Sequence, residues 1–186
     1  MTSDADRHLL LQIARDAILR HVAAEHAPPP AGSPLLDQPA AAFVTIRNHG
    51  ELRGCIGHIE PDEPLGRVIT RCAVAACSSD PRFPAVTASE LPHLDVELSL
   101  LGALEPIAGP EEIEIGRHGL VVERGWQRGL LLPQVATEWK WDAPTFLSQT
   151  CHKAGLPLEA WKQGAKLWRF EAEVFGGAEW PGGSGG

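Results

Sequence analysis

With 186 residues, 44% of them apolar and 22% charged, the chain is long enough to bury a full core and has the balance of an ordinary soluble domain. No run approaches the roughly 18 apolar residues that span a bilayer. A net charge of −8, with Lys and Arg scattered, argues against a nucleic-acid partner held by a broad basic surface. The polar, acidic N-terminus lacks a basic-then-apolar export pattern, so a cytoplasmic protein without membrane association is expected. Cys55, Cys72, Cys77 and Cys151 are then expected as reduced thiols. Their spacing forms no paired CxxC framework, and neither a metal nor a cofactor is expected.

Leu10, Ile13, Ala14, Ala17, Ile18 and Val22 recur at helical period and predict a first helix over 5–26. Ser3 and Asp6 are placed as a capping box, with Asp instead of Glu or Gln, and Pro28-Pro29-Pro30 stops the helix. An extended, mobile loop is expected over 27–38. Phe43–Arg47 reads as a strand, Asn48-His49-Gly50 as a tight turn, and Leu52–Gly57 as the returning arm of a hairpin. Alternation on that arm sends Leu52 and Ile56 one way, and Arg53 and Cys55 the other. Gly54 and Gly57 weaken a strand, so they mark a bulge or a close approach to the backbone.

A loop over 60–64 leads to a second helix, in which Leu65, Val68, Ile69, Cys72, Ala73 and Ala76 form the apolar stripe. Prolines stiffen the loop Ser79–Pro84 and hold Arg82 in a fixed position; an equal reading is structural, with Arg82 paired to a carboxylate and Phe83 plugging a gap. Leu94, Val96, Leu98 and Leu100 alternate with Asp95, Glu97 and Ser99, the pattern of a strand covered on one face and solvated on the other. A turn around His118 feeds a strand to Glu123, and Arg124-Gly125 turns the chain into Trp126–Leu132, a second hairpin. A short helix from Pro133 and a longer one capped by Asp142 follow, with Trp139, Trp141, Phe146 and Leu147 read as a packed aromatic cluster. Trp168, Phe170, Ala172 and Val174 mark a last strand. Hairpins outnumber βαβ units, so the class is α+β, a mainly antiparallel sheet flanked by helices, in a single domain over 5–176 followed by a flexible tail over 177–186.

The chemistry-bearing candidates centre on Cys55. A cation beside a thiol favours the thiolate, so Cys55 is the candidate nucleophile or covalent carrier and Arg53 its electrostatic activator. His118 is the candidate acid or base, Glu97 the group that orients it, and Arg82 the clamp for an anionic substrate. Gly54 and Gly57 are candidates for presenting backbone to a ligand. The blander readings are a Cys55 in ordinary core packing, an exposed turn histidine and a solvated Glu97.

The segment Leu52-Arg53-Gly54-Cys55-Ile56-Gly57 is also the hallmark by which the sequence resembles the AMMECR domain family, whose microbial members are called AmmeMemoRadiSam system protein A. Phe43-Val44-Thr45, Asp80-Pro81-Arg82-Phe83, Leu91-Pro92-His93-Leu94 and Gly116-Arg117-His118-Gly119 are similar to the family in the same order, as is Leu131–Ala136 followed by Trp141. The resemblance covers about residues 9–175. His58 departs from it, standing where many relatives carry a small hydroxyl residue. The resemblance implies a larger and a smaller lobe of an α+β fold, and a modification pathway shared with Memo-type and radical S-adenosylmethionine proteins. It implies no reaction. Two functions follow as expectations: an enzyme or enzyme-pathway component using a Cys55-centred site, or a non-catalytic adaptor presenting the hallmark to a peptide, small molecule or partner protein. In a third reading the hallmark is purely structural, with Arg53 pairing internally and the glycines permitting tight packing. Oligomeric state is not legible.

Overall fold

The computed structural model describes residues 2–24 and 32–177. The chain divides into two compact units, residues 1–100 with 173–186, and residues 101–172.

In the first unit, helix α1 runs Asp4–Ala23. Ser3 caps it by accepting the Asp6 amide, and the Ser3 hydroxyl in turn donates to the Asp6 carboxylate at 2.7 Å. The helix ends earlier than expected because Ala24 adopts left-handed geometry. Of the loop expected over 27–38, the first part, through 31, lies outside the described residues. The remainder is not extended: Pro34–Asp37 form a 3₁₀ turn capped by Ser33. Strands β1 (Ala41–Asn48) and β2 (Glu51–His58) form the predicted hairpin. Its turn residues His49 and Gly50 have φ of 51° and 81°, the doubly positive pattern that matches strand twist. Helix α2 (Leu65–Ser78) and strand β3 (Leu94–Leu101) follow. Leu10, Ile13 and Ile18 from α1, Val44 and Ile46 from β1, Val68, Ile69 and Cys72 from α2, and Leu94, Val96 and Leu98 from β3 form one core. Cys72 is core, as its place in the stripe predicts.

The second unit holds the short strand β4 (Glu105–Pro106), strands β5 (His118–Arg124) and β6 (Gln127–Leu131), and helices α3 (Pro133–Glu138) and α4 (Ala143–Lys153). Leu120, Val122, Phe146, Leu147, Cys151 and Leu167 are among its core residues. Trp139 departs from the expected aromatic cluster: it is 68% exposed and stacks on Trp141 at 6.0 Å. Strand β7 (Lys166–Gly176) belongs to the second unit up to Ala172 and to the first beyond it. The strand order is β2-β1-β3-β7-β5-β6, with β4 on β7, and the β1–β2, β5–β6, β5–β7 and β4–β7 pairs are antiparallel. The α+β class is therefore the one observed. The expected tail from residue 178 onward lies outside the described residues. Among those residues, no helix is long and apolar enough to cross a membrane.

Candidate thiol site

Strand β2 ends the strand order, so one row of its backbone groups has no neighbouring strand. At Cys55 that row is closed by side chains. The Cys55 amide donates to the Asp80 carboxylate at 2.9 Å, and its carbonyl accepts from the Arg82 guanidinium at 3.4 Å. Asp80 and Arg82 are joined to each other by contacts of 2.7 Å and 3.0 Å, and Asp80 also accepts the Arg82 amide at 3.1 Å. Asp80 is only 4% exposed. The guanidinium holds its carboxyl well below the usual carboxylate range, against a burial that acts the other way. Arg82 also lies over its neighbour's ring, 5.4 Å from the Phe83 centroid. The loop Ser79–Pro84 thus holds Arg82 as expected, and the carboxylate it pairs with is two residues away.

With its amide turned outward, Cys55 faces Thr45 across a non-hydrogen-bonded pair, the closer of the two antiparallel arrangements. The Thr45 hydroxyl donates to Sγ at 3.3 Å. Cys55 is half-buried, whereas Cys72, Cys77 and Cys151 are buried. Burial raises the Cys55 pKa. The Thr45 hydrogen bond and the Arg82 charge pull it down, while Asp80 and Glu97 push it up. Burial wins, and the resting group is a thiol. Glu97 lies on the face of β3 away from Val96 and Leu98, where a fully solvated face was expected. That face is in fact part-covered: Ser99 and Thr45 are buried, and the Ser99 hydroxyl has no hydrogen-bond partner among the described residues.

Arg53 does not act as the expected activator of Cys55; it pairs internally, as in the structural reading of the hallmark. The β1–β2 register shifts between Ile46, opposite Gly54, and Arg47, opposite Leu52, leaving Arg53 as the extra residue of a bulge. Its guanidinium reaches Glu90 at 2.7 Å and the carbonyls of Pro84 and Ala85 at 2.8 Å and 3.3 Å. The guanidinium whose charge acts on Cys55 is that of Arg82, and the charge of Arg53 acts on Cys77. Gly54 and Gly57 are places of close approach, and the approaching groups are the chain's own. A Cβ on Gly54 would meet the Ala76 carbonyl of α2, and one on Gly57 would meet the Phe43 ring.

His118 belongs to the second unit. It is 7% exposed, and its Nδ1 accepts the Glu114 amide at 3.0 Å. Burial lowers its pKa, and Arg169 and Arg117 lower it further, so the ring is neutral near pH 7. It lines a cleft of ≈ 370 Å³ together with Glu105, Glu111, Glu112, Arg117, Arg169 and others. The structure thus gathers Cys55, Arg82 and Glu97 in one unit, directs Arg53 to Glu90, and places His118 among groups of the other. Asp80 and Thr45, which hold the thiol, were not named as site residues from the sequence, although both fall in segments that resemble the family. The signal for Asp80 was its place two residues before an arginine in a proline-bounded loop.

Fold and site define an α+β protein whose antiparallel sheet carries a thiol, locked in place by an Asp–Arg pair, on its terminal strand. The chain belongs to the AMMECR1 family, which matches residues 11–175. It is 45% identical over 175 residues to a protein of Methanothermobacter thermautotrophicus, covering 89% of this chain and 91% of that one. It is 44% identical over 179 residues to a protein of Thermococcus gammatolerans, covering 89% and 87%. The crystal structure of an uncharacterised protein from Pyrococcus horikoshii superposes with a TM-score of 0.85 at 40% identity, covering 92% of this chain and 91% of that one.

Proposed function

We propose that the first unit carries a nucleophilic thiol site, with Cys55 as covalent carrier in an enzyme or enzyme-pathway component of the kind shared with Memo-type and radical S-adenosylmethionine proteins. The observation that carries this reading is the fixing of Cys55 at three points: amide to Asp80, carbonyl to Arg82, and sulfur to Thr45. Burying a carboxylate is costly unless it is paired and hydrogen-bonded, and here that arrangement orients a half-exposed thiol. Because the resting group is a thiol, attack requires a proton acceptor, and Glu97 is the β3 carboxylate whose charge acts on Cys55. The sulfur forms a bond to an electrophilic carbon of the substrate while its proton passes to Glu97. The bond from that carbon to the leaving group then breaks, and the leaving group departs with the proton from Glu97. Arg82, half-exposed, faces the negative charge of the substrate. Arg53 is a positioning residue: through Glu90 it fixes the loop beside β2.

The adaptor reading has less support. Addition of a partner strand to the hallmark would need the outward backbone groups of Cys55, and Asp80 and Arg82 already occupy them.

Glu97→Gln separates a base from a bystander. Removing a negative charge lowers the thiol pKa, so a bystander Glu97 predicts faster alkylation of Cys55 by iodoacetamide at pH 7. A proton acceptor predicts alkylation at least threefold slower, read by intact mass and peptide mapping. A faster or unchanged rate overturns the proposal.

A further inference from the structure

The cleft of the second unit takes no part in the thiol site, and its lining specifies a ligand of its own. Five glutamates, two arginines and His118 line it with Ile113. Both arginines are already committed. Arg169 binds Glu105 at 3.0 Å and the Glu112 carbonyl at 2.6 Å, while Arg117 binds Glu171 at 2.6 Å and Glu114 at 3.2 Å. With three of the five carboxylates spent on these two cations, Glu111 and Glu112 leave the cleft with a surplus of negative charge. The Glu112 carboxylate accepts the Ala108 amide at 2.7 Å. An anion gains nothing here, and a cation does.

His118 adds the opposite requirement. Because Nδ1 accepts the Glu114 amide, the neutral ring carries its proton on Nε2. The imidazole is therefore an N–H donor in the wall of the cleft, nine-tenths buried, and its Nε2 has no acceptor among the described residues. In that tautomer it offers no lone pair to a metal ion. The carboxylates of the cleft also do not converge as metal ligands do: among the described residues the only group close enough is His58, Asp62 and Glu63, in the other unit. A volume of ≈ 370 Å³ lies at the small end of ligand sites.

We infer that the cleft lined by Glu111, Glu112 and His118 binds a small free zwitterion of amino-acid size, its ammonium on the glutamates and its carboxylate or carbonyl oxygen on the His118 Nε2–H. This inference is independent of Cys55 and holds whether or not the thiol is a nucleophile.

The test uses the intact chain and three probes: L-alanine with both groups, ethylamine with the ammonium alone, and propionate with the carboxylate alone. Backbone amides over 111–118 are followed by ¹H–¹⁵N NMR during titration. L-Alanine is expected to shift them saturably, ethylamine more weakly, and propionate not at all. Glu111→Gln is expected to weaken L-alanine and ethylamine together by threefold or more. His118→Asn keeps an acceptor for the Glu114 amide but deletes the Nε2 donor, so it is expected to weaken L-alanine and leave ethylamine unchanged. Binding of propionate as tight as L-alanine, no saturable shift with L-alanine, or full L-alanine affinity in a folded His118→Asn protein would each overturn the inference.

Discussion

Asp80 accepts the Cys55 amide at 2.9 Å from a carboxylate that Arg82 grips at 2.7 Å, so one buried acid joins the loop after α2 to the terminal strand of the sheet. Hydrogen bonds to a charged group are worth about 1.5–3 kcal/mol, and an orphaned partner adds to the loss. Asp80→Ala should therefore destabilise the first unit by about 3 kcal/mol, and Asp80→Asn by less, since its amide oxygen still accepts from Cys55. Urea unfolding midpoints at constant slope measure both.

Arg82 should tune the thiol. Its charge lowers the Cys55 pKa, so Arg82→Ala is expected to raise that pKa and slow alkylation at pH 8. Arg53→Ala should leave the Cys55 pKa nearly unchanged while lowering stability, because its guanidinium serves Glu90 and two carbonyls. A pH–rate profile beside a melting curve separates the two arginines.

Gly54→Ala places a methyl on the Ala76 carbonyl, which is backbone and has no flexible end to move. Overpacking of this kind should cost about 1–3 kcal/mol. Gly50→Ala meets open space and is expected to lose only about 1 kcal/mol, from its positive φ. Equal losses at the two positions would contradict the packing of α2 on β2.

The Glu90 carboxyl is held at about 2, below its ordinary 4.5, chiefly by the Arg53 hydrogen bond and the Thr87 amide. A depressed acid contributes stability in full above its unfolded value and loses it as pH falls through the folded one. The window is therefore from about 4.5 down to about 2, with roughly 3 kcal/mol at stake. Glu90→Gln should be less stable at pH 7 and should flatten the stability curve across that window. Denaturant titrations at steps of pH check it.

Much of this fold was legible in local pattern. The period of α1, the stripe of α2 including Cys72 and the alternation of β3 each follow from residue spacing alone. The hairpin turn reads one residue too long, at Asn48-His49-Gly50, where Asn48 still belongs to β1. The site was less legible because it depends on one irregularity. Counting back from the turn, an unbroken ladder pairs Cys55 with Val44. The bulge at Arg53 shifts the count by one, sets Cys55 opposite Thr45, and frees Arg53 from the ladder to meet Glu90. Nothing in the alternation of Leu52–Gly57 announces that extra residue beyond the glycine that follows it. Asp80 was hidden for another reason: its role is set by a loop folding back onto an edge strand, a long-range contact that periodicity does not encode. The solvated face expected at Glu97 was an inference from alternation, which distinguishes the two faces of a strand but not whether the polar one is covered.

The most direct measurement is the alkylation rate of all four cysteines against pH on the folded protein, resolved by mass spectrometry. Cys55 should react well before Cys72, Cys77 and Cys151, with a midpoint above the ~8.5 of a free thiol, because burial outweighs Thr45 and Arg82 in the resting state. If Cys55 instead reacts only when the protein unfolds, in step with the buried thiols, it is no nucleophile and the hallmark segment is scaffold.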